Sequence, residues 1–135
     1  MLNDLASLES SRATLLRQIA QLRDLRPGSV GGVFRRCGKP TCHCARPKDP
    51  GHGPHFQFTY KKDGKTFTET LSSPAAVDKT KQEVAEFRRF EQLSGSFVEV
   101  NQKICQSRPI QPEQGAWTAE EKKRLLQSIR RLRER

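Results

Sequence analysis

Residues 35–45 read Arg-Arg-Cys-Gly-Lys-Pro-Thr-Cys-His-Cys-Ala, and this stretch, with His-Gly-Pro-His at 52–55, decides the fold. It lies in a segment, residues 27–54, that contains six glycines and five prolines. We expect such a segment to form neither a helix nor a regular sheet of any length. The segment also holds three of the four cysteines and two of the three histidines, with His55 directly after it, so something other than burial in a core must order it.

The cysteine spacing predicts a zinc site. Cys37, Cys42 and Cys44 form a C-x4-C-x-C pattern, and one of the three nearby histidines can supply a fourth ligand. Tetrahedral Zn2+ prefers thiolate and imidazole ligands, and its binding would order a loop that lacks an apolar core. A disulfide is not expected in a cytosolic protein, and Cys42 and Cys44 are too close for an easy bridge. Cys105 occupies an apolar position of a predicted helix, where we expect it to be buried.

A β-hairpin follows the cysteine segment. Aromatic residues at positions 56, 58 and 60 alternate with polar ones, and Asp63-Gly64 is typical of a two-residue type I′ turn. The register that this turn predicts pairs Tyr60 with Phe67, Phe58 with Glu69 and Phe56 with Leu71. One face of the hairpin is then aromatic and the other is rich in threonine.

Helical patterns lie on both sides of this region. At the N-terminus, an apolar stripe at coiled-coil spacing is interrupted once by Arg12 and ends before Pro27; its members are Leu5, Leu8, Leu15, Ile19 and Leu22. Packing on the same chain and dimerisation explain this stripe equally well. Ser73-Pro74 predicts the start of a long helix that extends to about Gln106, with a break or kink at Gly95. Thr118 and Glu121 form a capping-box pattern for a last helix, residues 120–132.

Together these patterns predict an α+β module, a small zinc-stabilised knuckle and β-hairpin flanked by long N- and C-terminal helices. The expected units are residues 1–26 as an amphipathic helix, 27–73 as the knuckle and hairpin, 74–107 as a long helix packing on the hairpin, 108–117 as a linker and 118–135 as a basic helix.

The charge of the chain points to an acidic partner. There are 25 Lys and Arg against 15 Asp and Glu, and eight of the ten net positive charges lie in residues 27–73 and 111–135. Nucleic acid is the commonest partner of so basic a protein. The residues predicted to contact it are Arg35, Arg36, Lys39, Arg46, Lys48, Lys61, Lys62, Lys65, Lys122, Lys123, Arg124, Arg130 and Arg131. With no run of about 18 apolar residues and no secretory signal, we expect a cytoplasmic protein without a membrane partner.

Residues 32–45, together with His52-Gly53-Pro54, the aromatic strand and Gly64-Lys65-Thr66, resemble a family of short bacterial proteins of unknown function. Members of that family often occur near transposases and other mobile-element genes. The resemblance covers roughly residues 15–105 and implies His52 as the fourth zinc ligand, completing the set Cys37, Cys42, Cys44 and His52. His55 stands where the family typically has tyrosine, so the choice between His52 and His55 stays open.

The residues favour one of three classes of function. An enzyme is not expected, because three cysteines and one histidine close a zinc site and no second catalytic set is visible. We expect a zinc-dependent nucleic-acid-binding accessory protein, of a mobile element by the resemblance, with DNA or RNA left open. Exposed stacking aromatics would favour single strands or RNA, but we expect the hairpin aromatics to pack on the long helix. The alternative is a helical, homodimeric adaptor that docks on a larger protein such as a transposase.

Overall fold

The computed structural model describes residues 4–111 and 115–135. Its elements are helix α1 (Leu5–Ala20), strand β1 (Ser29–Arg35), a 3-10 turn (His43–Ala45), strands β2 (His52–Lys62) and β3 (Lys65–Thr70), helix α2 (Pro74–Ser107) and helix α3 (Ala119–Arg133). The predicted α+β class is confirmed. Residues 1–3 of the predicted N-terminal unit and 112–114 of the predicted linker lie outside the described residues.

The hairpin has the register predicted from its turn. Tyr60 pairs with Phe67 and Phe58 with Glu69, and the amide of Leu71 donates to the carbonyl of Phe56 at 2.9 Å. Asp63 and Gly64 have φ values of 52° and 75°, as a type I′ turn requires at both central positions.

The sheet has a third strand that the sequence did not predict. β1 pairs antiparallel with β2, giving the order β1-β2-β3, so the expectation of no regular sheet within residues 27–54 was wrong for Ser29–Arg35. Glycine in a strand often marks a close approach of neighbouring groups. A Cβ on Gly32 would lie 3.3 Å from the Cβ of Pro54. A glycine that argues against a strand in the sequence therefore lets β1 and β2 approach closely here.

Helices α1 and α2 pack against each other in the same chain. Arg108 pairs with Glu9 at 3.0 Å and Arg12 donates to the side chain of Asn101 at 3.3 Å, so the two helices are antiparallel. The second contact gives Arg12, the polar position in the apolar stripe, a partner across the seam. α1 ends at Ala20, short of the expected boundary before Pro27, and α2 continues through Gly95.

Arg26 joins the sheet to α2. Its guanidinium lies 4.1 Å from the centre of the Phe58 ring, and Phe58 is only 1% exposed. Arg26 also forms ion pairs with Glu69 of β3 at 3.2 Å and Glu83 of α2 at 3.3 Å. The Glu83 contact is a charge contact outside hydrogen-bond geometry. One side chain therefore links Phe58 and Glu69 of the sheet to Glu83 of the long helix.

Helix α3 begins with the predicted capping box, in which Glu121 donates its amide to Thr118 and Thr118 donates its amide to Glu121. Every residue of α3 is exposed. Its apolar side chains, Leu125, Leu126, Ile129 and Leu132, therefore lie open to solvent. Among the described residues, no helix combines the length and the apolar character needed to cross a membrane.

Candidate metal centre

Four side chains converge between the end of β1 and the start of β2. The thiols of Cys37, Cys42 and Cys44 and a ring nitrogen of His52 all lie within 4.8 Å of one another. The sulfurs of Cys37 and Cys44 are 3.5 Å apart, and the sulfur of Cys42 is 3.1 Å from Nε2 of His52. The structure therefore brings together three thiols and one imidazole.

These separations fit a tetrahedral ion of the size of zinc. Zn–S bonds of about 2.3 Å at tetrahedral angles place two sulfurs about 3.8 Å apart, close to the separation found for Cys37 and Cys44. Soft thiolates with one imidazole are also the ligands that Zn2+ prefers. The cluster could therefore hold a metal ion such as zinc through Cys37, Cys42, Cys44 and His52.

Local backbone structure positions each ligand. β1 and β2 pair Arg35 with His52, which places the histidine beside the end of β1 and thus near Cys37. The amide of Cys42 donates to the carbonyl of Lys39 at 3.1 Å, and the 3-10 turn after Cys42 carries Cys44 inward. Cys44 is 1% exposed, so the ligand on this turn is the most buried of the four.

Arg36 ties the loop around the cluster. Its guanidinium donates to the backbone carbonyls of Cys44, Arg46 and Asp49. Sequence reasoning placed Arg36 only among the nucleic-acid contacts, because a contact to backbone carbonyls leaves no mark in a sequence. In this structure the side chain holds residues 44–49 beside the end of β1.

Asp49 organises the rest of the loop, and sequence reasoning missed it. One carboxylate oxygen lies 2.9 Å from Nδ1 of His43, and the other accepts from the amide of Gly51 at 2.8 Å. A signal was present, because Asp-Pro-Gly at 49–51 is typical of a turn stabilised by an aspartate side chain. His43 is therefore held outside the cluster.

The thiols titrate differently within the cluster. A hydrogen bond from the backbone amide of Lys39, followed by those with His52 and the other thiols, lowers the pKa of Cys37 to about 6. The amide of Cys37 lowers the pKa of Cys44, but burial and the neighbouring thiols outweigh it and raise that pKa overall. Thiolate is the form that binds metal, so Cys37 offers a ligand in the required state at neutral pH.

The remaining histidine and cysteine lie elsewhere. His55 is exposed on β2 opposite Val33 and is not part of the cluster, so the geometry favours His52 over His55. Cys105 is exposed on α2, and its expected burial was wrong. The contact face of α2 instead includes Ile104, which is 2% exposed, so the apolar seam lies one position away from Cys105.

The predicted nucleic-acid contacts lie on exposed parts of the chain. Arg35 ends β1, and Lys39, Arg46 and Lys48 lie in the loop around the cluster. Lys61, Lys62 and Lys65 lie at the hairpin end, with Lys62 and Lys65 directly paired. Within residues 4–111 and 115–135, none of these seven forms an ion pair. The basic residues of α3, Lys122, Lys123, Arg124, Arg130 and Arg131, are likewise exposed.

Comparison with known proteins identifies a family. A family model described as a domain of unknown function (DUF6788) matches residues 5–82, more than half of the chain. The matched region includes α1, the whole sheet, the four clustered ligands and the first part of α2. No curated protein and no solved structure shows significant similarity to the chain.

Proposed function

The chain belongs to the family of the domain of unknown function DUF6788, and because that description names no activity, we propose from the site itself that the protein binds nucleic acid through a zinc-ordered basic module. Zinc is held by Cys37, Cys42, Cys44 and His52. The protein acts as a cytoplasmic accessory factor of a mobile genetic element or its nucleoprotein complex, the last part resting on the resemblance seen in the sequence.

The observation that carries this proposal is the position, around the cluster, of positive charges that form no ion pair within the described residues. Four basic residues are exposed on the 17-residue stretch from Arg35 to Gly51: Arg35, Lys39, Arg46 and Lys48. In this proposal the ion folds the stretch back on itself through its three cysteines and the adjoining His52. Unpaired, exposed cations on a fixed loop release counterions from phosphates without first breaking internal ion pairs. The Arg36 contacts and the Asp49 turn add rigidity to the same loop.

The zinc is structural in this proposal. Three thiolates and one imidazole fill the four positions of a tetrahedral ion, which is typical of structural rather than hydrolytic sites. In this proposal the protein is a binding module and not an enzyme. The ion supplies the free energy that orders a glycine- and proline-rich loop, which has no apolar core to order it.

The test measures binding of the full, zinc-loaded chain to random-sequence DNA and RNA, single- and double-stranded, across a series of salt concentrations. A triple variant, Arg35→Ala, Lys39→Ala and Lys48→Ala, should lower affinity and make its salt dependence less steep, by about 0.7–0.9 in log–log slope for each phosphate that is no longer neutralised. Arg36 is kept because it holds the loop. The matched control also removes three exposed cations, all outside the loop: Arg23→Ala, Lys81→Ala and Arg88→Ala. Equal affinity and slope in the triple variant and the wild type, at equal zinc content, would refute the proposal.

A second candidate function is a homodimeric adaptor that docks on a larger protein such as a transposase. The observation that favours it is the open apolar face of α3, formed by Leu125, Leu126, Ile129 and Leu132, because phosphate contacts alone do not require such a face. Weak, salt-insensitive nucleic-acid binding together with a dimer in light scattering, abolished by Leu125→Glu with Ile129→Glu, would favour the adaptor.

A further inference from the structure

The aromatic side chains of the hairpin form a row of nearly parallel planar groups. The Phe58 and Tyr60 rings are stacked with centroids 5.5 Å apart and planes 26° apart, and the Tyr60 and Phe67 rings with centroids 5.4 Å and planes 19° apart. At one end of the row the guanidinium of Arg26 covers Phe58. At the other end Phe67 is 42% exposed on the edge strand β3. The row is therefore closed at Phe58 and open at Phe67.

Positive charge surrounds the open end. Directly paired residues of antiparallel strands share a face, so Lys62 and Lys65 lie on the same face as Tyr60 and Phe67. The carboxylate on this face, Glu69, is paired with Arg26. Neither lysine forms an ion pair with any described residue, so the open end combines aromatic surface with two exposed cations.

A cavity of about 320 Å3 adjoins two of these rings, Phe58 and Tyr60, on the Arg26 side of the row. It is lined by Arg26, Pro27, Phe58, Tyr60, Lys61, Lys62 and Glu69. A flat aromatic heterocycle is the class of ligand that such a site accepts, because it can stack on a ring while a linked phosphate contacts a lysine.

We propose that this face binds single-stranded nucleic acid, with an unpaired base stacking on Phe67, the open end of the row, and the adjoining phosphates contacting Lys62 and Lys65. This inference rests on the proposed function and names its substrate class. A base in a duplex already stacks on its neighbours and presents only its edges, so the row selects unpaired bases. Aromatic stacking accepts every base, so the binding is independent of sequence.

The chain offers a matched control for Phe67. Phe56 lies on the same sheet face and is also 42% exposed, but it adjoins the start of α2 through a cavity lined by Leu71, Pro74 and Val77. Phe67→Leu and Phe56→Leu each remove one ring and keep an apolar side chain. Only the first changes the proposed stacking site.

The experiment titrates full, zinc-loaded protein into a 12-nucleotide thymidine oligonucleotide, a uridine oligonucleotide of equal length and a 12-base-pair duplex. Phe67→Leu should weaken single-strand binding by roughly 5- to 150-fold, whereas Phe56→Leu should not, and Phe67→Trp should retain it. Duplex affinity should be equal in all variants. The fluorescence of oligonucleotides containing 2-aminopurine should be quenched by wild-type protein and not by Phe67→Leu.

Three results would overturn the inference alone, provided that removal of the Arg35, Lys39 and Lys48 charges still lowers salt-dependent binding. The first is equal single-strand affinity in Phe67→Leu and wild type, and the second is tighter binding of the duplex than of either single strand. The third is a change of oligomeric state in Phe67→Leu, which would show that the face joins two copies of this chain. Absence of salt-dependent binding to any of the three probes would overturn both the inference and the proposed function.

Discussion

Cys44 and Cys105 have the same side chain in opposite surroundings. Cys44 is buried within the four-ligand cluster, and Cys105 is exposed on α2. We expect Cys44→Ser to lower zinc affinity by more than about 100-fold, since even the hydrogen-bond partners of metal ligands contribute about 10–100-fold. Cys105→Ser should leave it unchanged. Metal analysis of purified protein and competition with a chromophoric chelator measure both, and equal zinc affinity in the two variants would contradict the assignment.

Arg36 should matter for metal binding rather than for direct contact with a ligand. Arg36→Ala removes the donors to three backbone carbonyls of residues 44–49, so the loop loses part of its order before the metal binds. We expect zinc affinity to fall by about 10-fold or more, with Arg36→Lys giving little rescue because an ammonium lacks the planar fork of donors. Arg35→Ala is the control, and a fall in both variants alike would argue for a general charge effect.

For individual residues, the sequence predicted the metal ligands that lie close together along the chain. Cys37, Cys42 and Cys44 lie within eight residues, so their meeting required only a bend. The contacts of Arg36 and Arg26 could not be foreseen, because each depends on where other parts of the backbone run after folding.

Gly28 and Gly31 stand on either side of the start of β1 and should respond in opposite ways to alanine. Gly28 has φ of 144°, and a Cβ there would lie 2.4 Å from the ring of Phe58. We expect Gly28→Ala to destabilise the fold by about 1–3 kcal/mol through overpacking. A Cβ on Gly31 meets nothing within 4 Å, so Gly31→Ala should be neutral or stabilise by up to about 1 kcal/mol. Urea unfolding measures both; a stable Gly28→Ala would contradict the packing described.

Glu83 should make the junction of sheet and helix sensitive to acid. A hydrogen bond from Lys79, then the charges of Lys79 and Arg26, hold the pKa of Glu83 below its ordinary value of 4.5. As the pH falls, the carboxylate of Glu83 is protonated at a higher pH in the unfolded chain than in the folded one. The stabilisation is therefore present above about pH 4.5 and is lost as the pH falls through the lower folded pKa. Glu83→Gln should flatten this part of the stability profile, whereas Glu91→Gln, exposed on the same helix, should not. Urea midpoints between pH 3 and pH 7 test this, and parallel profiles for wild type and Glu83→Gln would exclude the role.

Among the elements, those with local signals were predictable. The hairpin register followed from Asp63-Gly64 and the alternation beside it, and α2 began at its Ser73 cap as expected. β1 was missed because its pairing is with a strand some 25 residues away and two of its seven residues are glycine. Local composition argues against such a strand, and only the neighbour supplied by tertiary structure favours it.

For the molecule as a whole, removal of metal should loosen one region and spare the rest. Apart from the ligand Cys44, the buried apolar residues Leu8, Phe58, Val84 and Ile104 lie in the helices and the sheet, outside the ligand loop. A zinc chelator should therefore abolish hydrogen-exchange protection in residues 36–51 while the far-ultraviolet circular dichroism of the helices persists. Loss of all helical signal would show that the helices depend on the metal. Unchanged hydrogen exchange in residues 36–51 would show that the metal does not order them.

The length of α2 sets a scale for any ligand that engages both basic regions. Its 34 residues extend about 51 Å at 1.5 Å each. The junction of the sheet with α2 lies at the N-terminal part of this helix, where Arg26 meets Glu83, and basic α3 follows its C-terminal end along the chain. At about 3.4 Å for each phosphate along one stacked strand, this length corresponds to about 15 nucleotides, so shorter oligonucleotides should occupy one end and longer ones bridge the molecule.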